Sequence, residues 1–369
     1  MDLKINCHFI DGAFIEILGN ASDTKKYNVK FINKKTNKID YQTEIPINSW
    51  AKSSKKYFID WRIEVYCNDL KIYEHNLDFN NKAVLIELCS SSLGDTLAWI
   101  PAIDEFQKKH NCKVYCSGFI NNLFEQQYPN LTFIHPGSSV DNIYAQYRIG
   151  WFYDGDLINY DMNPNDFKKF NLQDTAFQIL GLSYTEIRPK LNVPIIEKKN
   201  QVCIGIHATA KSKYWNNPGA WQKVIDFLNE KNYEVLLITK EHNGWMGSEV
   251  ITGVTDKTGQ YSLNDRIYQL AESKLFIGLG SGLSWLAWAT GIDTVLISGF
   301  SEKYSEFTPS KRIINENVCH GCFNNHKLDA GDWNWCPSFK GTENQFICTK
   351  QITAEDVIKA ISDVLKIDI

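Results

Sequence analysis

The chain of 369 residues is long enough for two or three domains with proper cores, and its 43% hydrophobic and 22% charged residues are ordinary for a globular protein. A net charge of −4 and the lack of a basic stripe exclude a partner held by nucleic-acid phosphates. No apolar run approaches bilayer-spanning length, and the first residues, Met1 to Cys7, lack the basic and long apolar regions of a signal peptide. The expectation is therefore a cytoplasmic protein with no membrane insertion.

Residues 1–80 alternate polar and apolar side chains in short runs, among them Ala13 to Ile17, Tyr27 to Phe31 and Arg62 to Tyr66. Turn residues such as Asp11-Gly12 and Asn68-Asp69 separate them, which predicts a small antiparallel β domain with a structural or docking role. From Lys82 the pattern changes to fully apolar strands alternating with helices. The strand Ala83 to Leu88 is followed by a turn through Asp95 and a helix from Thr96 to Lys108. Then come a strand Lys113 to Cys116, a helix Phe119 to Gln127, a strand Leu131 to Ile134, a strand Tyr147 to Phe152 and a helix Leu172 to Leu180. This alternation implies a parallel sheet covered by helices. Asn192 to Asn200 has the composition of a linker.

A second alternating series runs from the strand Val202 to Ile206 through an amphipathic helix Ala220 to Glu230 and a strand Glu234 to Ile238. Ser262-Leu-Asn-Asp265 has the form of a capping box opening the next helix. A strand from Leu275, glycines at 278, 280 and 282, an apolar helix from about Ser281 and a strand Thr294 to Ile297 complete a strand–helix–strand unit. The glycines permit close backbone approach, and the free N–H groups of a helix N-terminus suit a diphosphate. A capped helix, Thr353 to Leu365, ends the series. Two such halves facing across a cleft match the GT-B glycosyltransferase architecture, with the ligand at the carboxyl ends of the strands. The expected domain boundaries are 1–80 for the β domain, 81–195 and 196–318 for the acceptor-side and donor-binding Rossmann-like domains, 319–348 for a cysteine segment, and 349–369 for the last helix.

Several residues in this frame can carry chemistry. Asp95 stands at the carboxyl end of the first parallel strand, where a carboxylate can take a proton from an acceptor hydroxyl or simply cap the helix. Lys213, in Lys211-Ser-Lys-Tyr-Trp-Asn-Asn217, comes after the first strand of the second half and can neutralise a departing diphosphate. Tyr214 and Trp215 in this polar loop suggest a face for a sugar or base. Asp154-Gly-Asp156 resembles a metal-diphosphate element, but its composition is that of a turn. Six of the ten cysteines are scattered in or beside apolar strands. The other four, Cys319-x2-Cys322-x13-Cys336-x11-Cys348, have the spacing of a structural four-thiolate site for zinc or a single iron.

Leu93-Gly-Asp-Thr-Leu-Ala-Trp-Ile-Pro101, Lys213 to Asn217, Gly280 to Gly291, Val295 to Ser301, Ser53 to Phe58 and the cysteine segment resemble the bacterial autotransporter heptosyltransferases. The resemblance covers nearly the whole chain. It implies an N-terminal β-barrel, a GT-B core of glycosyltransferase family 9 type and a C-terminal cysteine finger holding iron, assembled as a dodecamer. It also implies transfer of heptose from ADP-heptose to serine and threonine hydroxyls of an autotransporter adhesin, by a metal-independent inverting mechanism. By motif, Asp95 corresponds to the essential acid, Lys213 to the donor-phosphate lysine, Gly280, Ser281, Gly282 and Leu283 to the phosphate turn, and Cys319, Cys322, Cys336 and Cys348 to the iron ligands, with zinc the alternative. The wider lipopolysaccharide family carries Asp-Ser/Thr-Gly-x-x-His at this turn. Here Gly280 replaces the aspartate and Trp285 the histidine. A lipopolysaccharide-core heptosyltransferase and a non-catalytic adhesin-binding scaffold are the alternative functions.

Overall fold

The structure is a computed structural model describing residues 3–327 and 334–369. Residues 328–333 of the expected cysteine finger lie outside the described residues. Contacts group the chain into two units, Met1–Ser91 with Trp99–Phe167 and Asp174–Thr185, and Ser92–Ala98 with Lys168–Gln173 and Glu186–Ile369.

In the first unit, seven strands form two antiparallel sheets. β1 (Lys4–His8), β2 (Phe14–Leu18), β3 (Lys26–Asn33), β4 (Lys38–Pro46), β5 (Ser49–Lys52), β6 (Trp61–Cys67) and β7 (Leu70–Asn76) pair in the orders β1-β2-β5 and β4-β3-β6-β7. Period-two alternation buries Tyr27, Val29 and Phe31 of β3 on one face and leaves its lysines on the other. This β segment is bonded to the α/β part of the same unit. Phe9 pairs with Ala145, and Arg148 forms ion pairs with Asp11 and with Glu87, the latter at 2.8 Å.

The parallel sheet of this unit has the order β10-β9-β8-β11, from β8 (Ala83–Leu88), β9 (Lys113–Ser117), β10 (Leu131–Ile134) and β11 (Ala145–Ile149). Helix α1 (Leu93–His110) leaves β8. The predicted helix at Phe119 to Gln127 is replaced by turns and a 3-10 turn at Asn121–Leu123. The Asn121 side chain donates to the Ile134 carbonyl at 2.8 Å, and Pro129 disfavours helical backbone just before it. The strand predicted from Tyr147 to Phe152 lies earlier, at β11. Asp154-Gly-Asp156 is the turn of a short hairpin, β12 (Tyr153–Asp154) with β13 (Leu157–Ile158). Helix α2 (Leu172–Ile179) closes this part of the chain.

Phe58 explains the Ser53 to Phe58 motif. Its backbone N–H bonds the Ile179 carbonyl at 2.8 Å, and its ring packs among Phe79, Phe106, His110 and Tyr147. Gly181, at φ +65°, lies against the same ring, and a Cβ there would overlap Phe58 Cδ1.

The second unit holds a six-stranded parallel sheet of order β16-β15-β14-β17-β18-β19. Its strands are β14 (Gln201–Gly205), β15 (Glu234–Leu237), β16 (Thr255–Asp256), β17 (Leu275–Leu279), β18 (Asp293–Ile297) and β19 (Lys311–Ile313). Its helices are α3 (Ala220–Glu230), α4 (Leu263–Ala271), α5 (Gly282–Thr290), α6 (Cys322–Asn325), α7 (Ile347–Lys350) and α8 (Ala354–Leu365). Capping boxes at Ser262/Asp265 and Thr353/Asp356 start α4 and α8. The last helix joins the core of this unit: Val357 and Ile361 pack with Val224, Ile225 and Leu228 of α3 against the sheet. The strand order reverses between β14 and β17. Their carboxyl ends carry the Lys211–Lys213 turn and the glycine turn, the place where open parallel sheets bind ligands.

Candidate active site

The site is built where two helices begin. Helix α5 is apolar all round because it is buried all round, from Ser284 to Ala289. Ser281 is its N-cap residue in extended backbone, and no side chain caps it. The Gly282 and Leu283 N–H groups belong to the first turn, which has no intrahelical acceptors to offer them. The first turn of α1 meets this helix end. A Cβ at Gly94 would lie 3.1 Å from Trp285 Cδ1, and one at Gly282 would lie 3.1 Å from the Gly94 nitrogen. The turn through Asp95 and the glycine turn thus come into contact, and a Cβ at either glycine would force a neighbour to give by a few tenths of an ångström. Asp95 lies in the first turn of α1, past the cap position, and is partly buried.

Lys213 ends the 3-10 turn after β14. Its Nζ sits 5.2 Å from the centre of the Phe300 ring. Desolvation pulls its pKa below the ordinary lysine value, while the negative charges of Asp95 and Glu306 work against that shift. The predicted acid, the predicted lysine and the glycine turn therefore share one locality. Glu306 is the member that sequence reasoning misses. A lone glutamate in a polar stretch carries no local signal, and only the fold brings it here.

Tyr214 and Trp215 do not offer an open ring face. Both are buried in the core of the second unit, and Trp215 Nε1 donates to the Ile352 carbonyl at 2.9 Å. Both line a cleft of about 180 Å³ with Asn216, Trp221, Ser248 and Glu249. Trp285, where the wider family has histidine, is likewise a core residue. It packs edge-on against Trp288 and Phe307, at centroid distances of 5.6 and 5.0 Å, and braces Gly94.

Cys322, Cys336 and Cys348 are buried, Cys319 is exposed, and all four are free thiols. The Cys322 thiol is pushed up to about 12, first by burial and then by the neighbouring Cys336, Cys319 and Cys348. Among the described residues no group of three or more His, Cys, Asp or Glu is spaced to hold a metal ion. Four sulfurs within electrostatic reach of one another are nonetheless a donor set suited to a soft tetrahedral ion.

The profile of glycosyltransferase family 9 (heptosyltransferase) matches residues 167–329. The chain is 37% identical over 349 residues to the autotransporter heptosyltransferase BAHTCr of Citrobacter rodentium, covering 91% of this chain and 84% of that protein. It is similar to the crystal structure of the dodecameric iron-containing heptosyltransferase TibC of enterotoxigenic E. coli in complex with ADP-D-β-D-heptose, with TM-score 0.89, 33% identity, and 98% and 96% of the two chains covered. A more distant relative, 28% identical over 85% of this chain and 76% of its own length, is the inactive autotransporter heptosyltransferase BimC of Burkholderia thailandensis.

Proposed function

The chain belongs to the autotransporter heptosyltransferases, a glycosyltransferase family, and from that premise we propose that it moves heptose from ADP-heptose onto serine and threonine hydroxyls of an autotransporter adhesin. The observation that carries the reading is the meeting of α1 and α5 at Gly94 and Gly282, with Lys213 in the field of Asp95. In the proposed mechanism Asp95 accepts the proton of the acceptor hydroxyl as its oxygen bonds to the anomeric carbon. The bond from that carbon to the diphosphate oxygen breaks on the opposite face, inverting the centre. Lys213 and the backbone N–H groups at Ser281, Gly282 and Leu283 take up the negative charge that gathers on ADP, and Gly280 keeps the turn open to it.

Cys319, Cys322, Cys336 and Cys348 would hold one iron ion, with zinc the alternative. Four thiolates saturate a tetrahedral ion, so such an ion serves as a cross-link. The described residues contain no helix long and apolar enough to cross a membrane. A cytoplasmic homo-oligomer, a dodecamer as in TibC, suits an enzyme that modifies an adhesin before its export. The β segment of residues 1–80, in the resemblance a barrel, is assigned to assembly or acceptor docking.

The test is co-expression with an adhesin passenger fragment in a host that makes ADP-heptose, followed by mass spectrometry of the fragment. Heptose increments on serine or threonine are expected. Folded protein that adds none, as the name of BimC implies for that relative, would leave a binding scaffold as the function. Increments on lipopolysaccharide core alone would make the acceptor a lipid.

A further inference from the structure

A carboxylate stands over the phosphate turn. A Cβ at Gly280 would lie 2.8 Å from Glu306 Oε1 and 3.7 Å from Ser301 Oγ, so Glu306 fills the space that a side chain at 280 would enter. A side chain at 280 would require Glu306 to move. Glu306 reaches in from the loop between β18 and β19 and is held on several sides. The Ser301 hydroxyl donates to Oε1, Arg312 Nη1 donates to Oε2 at 2.7 Å, and Asn171 Nδ2 donates to the Glu306 carbonyl at 2.7 Å. Arg312 is fixed in turn by a 3.0 Å bond from Nη2 to the Phe307 carbonyl.

Both side chains of the Glu306–Arg312 pair are only 10% exposed. An ion pair buried this deeply is a poor source of stability, because desolvation offsets most of its attraction. A negative group beside a site for a diphosphate also needs a reason. Lys213 supplies one. Its ammonium lies 5.2 Å from the centre of the Phe300 ring, and the next residue, Ser301, bonds Glu306, so lysine and carboxylate flank one two-residue segment; the charges that offset the lysine's desolvation are those of Asp95 and Glu306. Asp95 has a separate task at the acceptor.

We propose that Glu306 is a positioning residue for Lys213: its carboxylate, locked by Arg312 and Ser301, holds the lysine ammonium at the glycine turn, aimed at the donor diphosphate. Arg312 neutralises most of the charge that would otherwise repel that diphosphate. The proposal rests on the donor reading of this site given above.

The experiment is a double-mutant cycle on the full chain with its metal, read by calorimetric binding of ADP and by the donor and acceptor KM values. Glu306→Gln keeps the shape and removes the charge. It is expected to weaken ADP binding and raise the donor KM about tenfold, the size of one charge-assisted contact, with the acceptor KM unchanged. In a Lys213→Met background the same change is expected to cost less than about twofold, because the partner it acts through is gone. Wild-type protein that binds no ADP would sink the donor reading and this inference with it. Wild-type protein that binds ADP overturns the inference alone if Glu306→Gln binds equally well, or loses the same factor again in the Lys213→Met background. If Glu306→Gln does not fold, Glu306→Asp, which withdraws the carboxylate by one methylene, takes its place in the cycle and is judged by the same two outcomes.

Discussion

Asp95 lies in the first turn of α1, where any carboxylate is favoured by the helix dipole. A helix-end role and a catalytic role therefore predict different things. Asp95→Asn is expected to keep the fold and to bind ADP within about twofold of wild type, while transfer falls by about 10²-fold or more. Near-normal turnover would reduce Asp95 to a helix-end residue. Lys213 has a pKa below that of an ordinary lysine because it is desolvated. In the proposed role it binds the donor diphosphate only when protonated, so ADP affinity should be lost as pH rises through that lowered pKa. The decline should begin at a lower pH than an ordinary lysine allows. Lys213→Arg, which stays charged, should remove this alkaline limb if it still binds; a limb unchanged in the arginine variant would assign the titration to another group. Gly181 illustrates strain at a single position. With φ at +65° and Phe58 against its Cα, Gly181→Ala should lower stability by about 3 kcal/mol or more, measured as a shift in denaturant midpoint at constant m-value.

At the scale of elements, the loop that carries Lys213 is held by the C-terminal segment as well as by its own bonds, such as Asn216 Nδ2 to the Tyr214 carbonyl at 2.7 Å. Trp215 Nε1 and Asn217 Nδ2 both donate to the Ile352 carbonyl at 2.9 Å, Asn216 Nδ2 donates to Thr349 Oγ1 at 3.1 Å, and the Lys211 N–H donates to Asn334 Oδ1 at 3.4 Å. Phe300, beside the Lys213 ammonium, belongs to the small apolar cluster that contains Cys322. The segment that fixes the loop thus includes the neighbours of Cys336 and Cys348. Metal binding in short cysteine segments supplies folding free energy, on the order of 10 kcal/mol in zinc fingers. Stripping the proposed ion, or Cys322→Ser, should therefore weaken ADP binding although no cysteine lies in the proposed donor site. The check is metal content against ADP affinity across a chelator titration. Protein that carries less than about half an ion per chain and binds ADP normally would break the link.

Across the whole molecule, each unit shields a histidine from water, His207 fully buried and His110 partly. His110 packs against Phe58, Phe79 and Phe106 in the first unit, and His207 bonds Ser248 Oγ at 2.9 Å in the second. Burial pulls both to about 4, from an ordinary 6.5. Below pH 6.5 the unfolded chain takes up these two protons and the folded chain does not, so the unfolded state binds more protons. Their contribution is present above about 6.5 and is lost as pH falls from there toward 4. Thermal midpoints measured from pH 7 to pH 4 should fall, and His110→Gln should flatten the part of the decline that belongs to the first unit. A midpoint independent of pH over that window would contradict the burial of these rings as neutral bases.

Some of this protein is determined by the sequence alone because the controlling physics is local. The apolar strands and the buried helix after Ser281 arise from residue spacing, and the two capping boxes close within three residues of their own N-caps. The same holds for Gly280 to Leu283 as a turn with free N–H groups, and for the lysine turn after β14. Other features were decided only by tertiary structure. Phe119 to Gln127 has helical spacing, yet a side-chain bond from Asn121 to another strand's carbonyl holds it in turns. Tyr214 and Trp215 have the composition of a ligand face, yet they fill a core completed by Ile352 and α8. Gly94 meets Gly282, and Glu306 takes the space over Gly280, through contacts between segments distant in the chain. Hydrophobic period and turn chemistry act over a few residues and specify elements; which side chains those elements bring together depends on packing, for which no single stretch of sequence carries a signal.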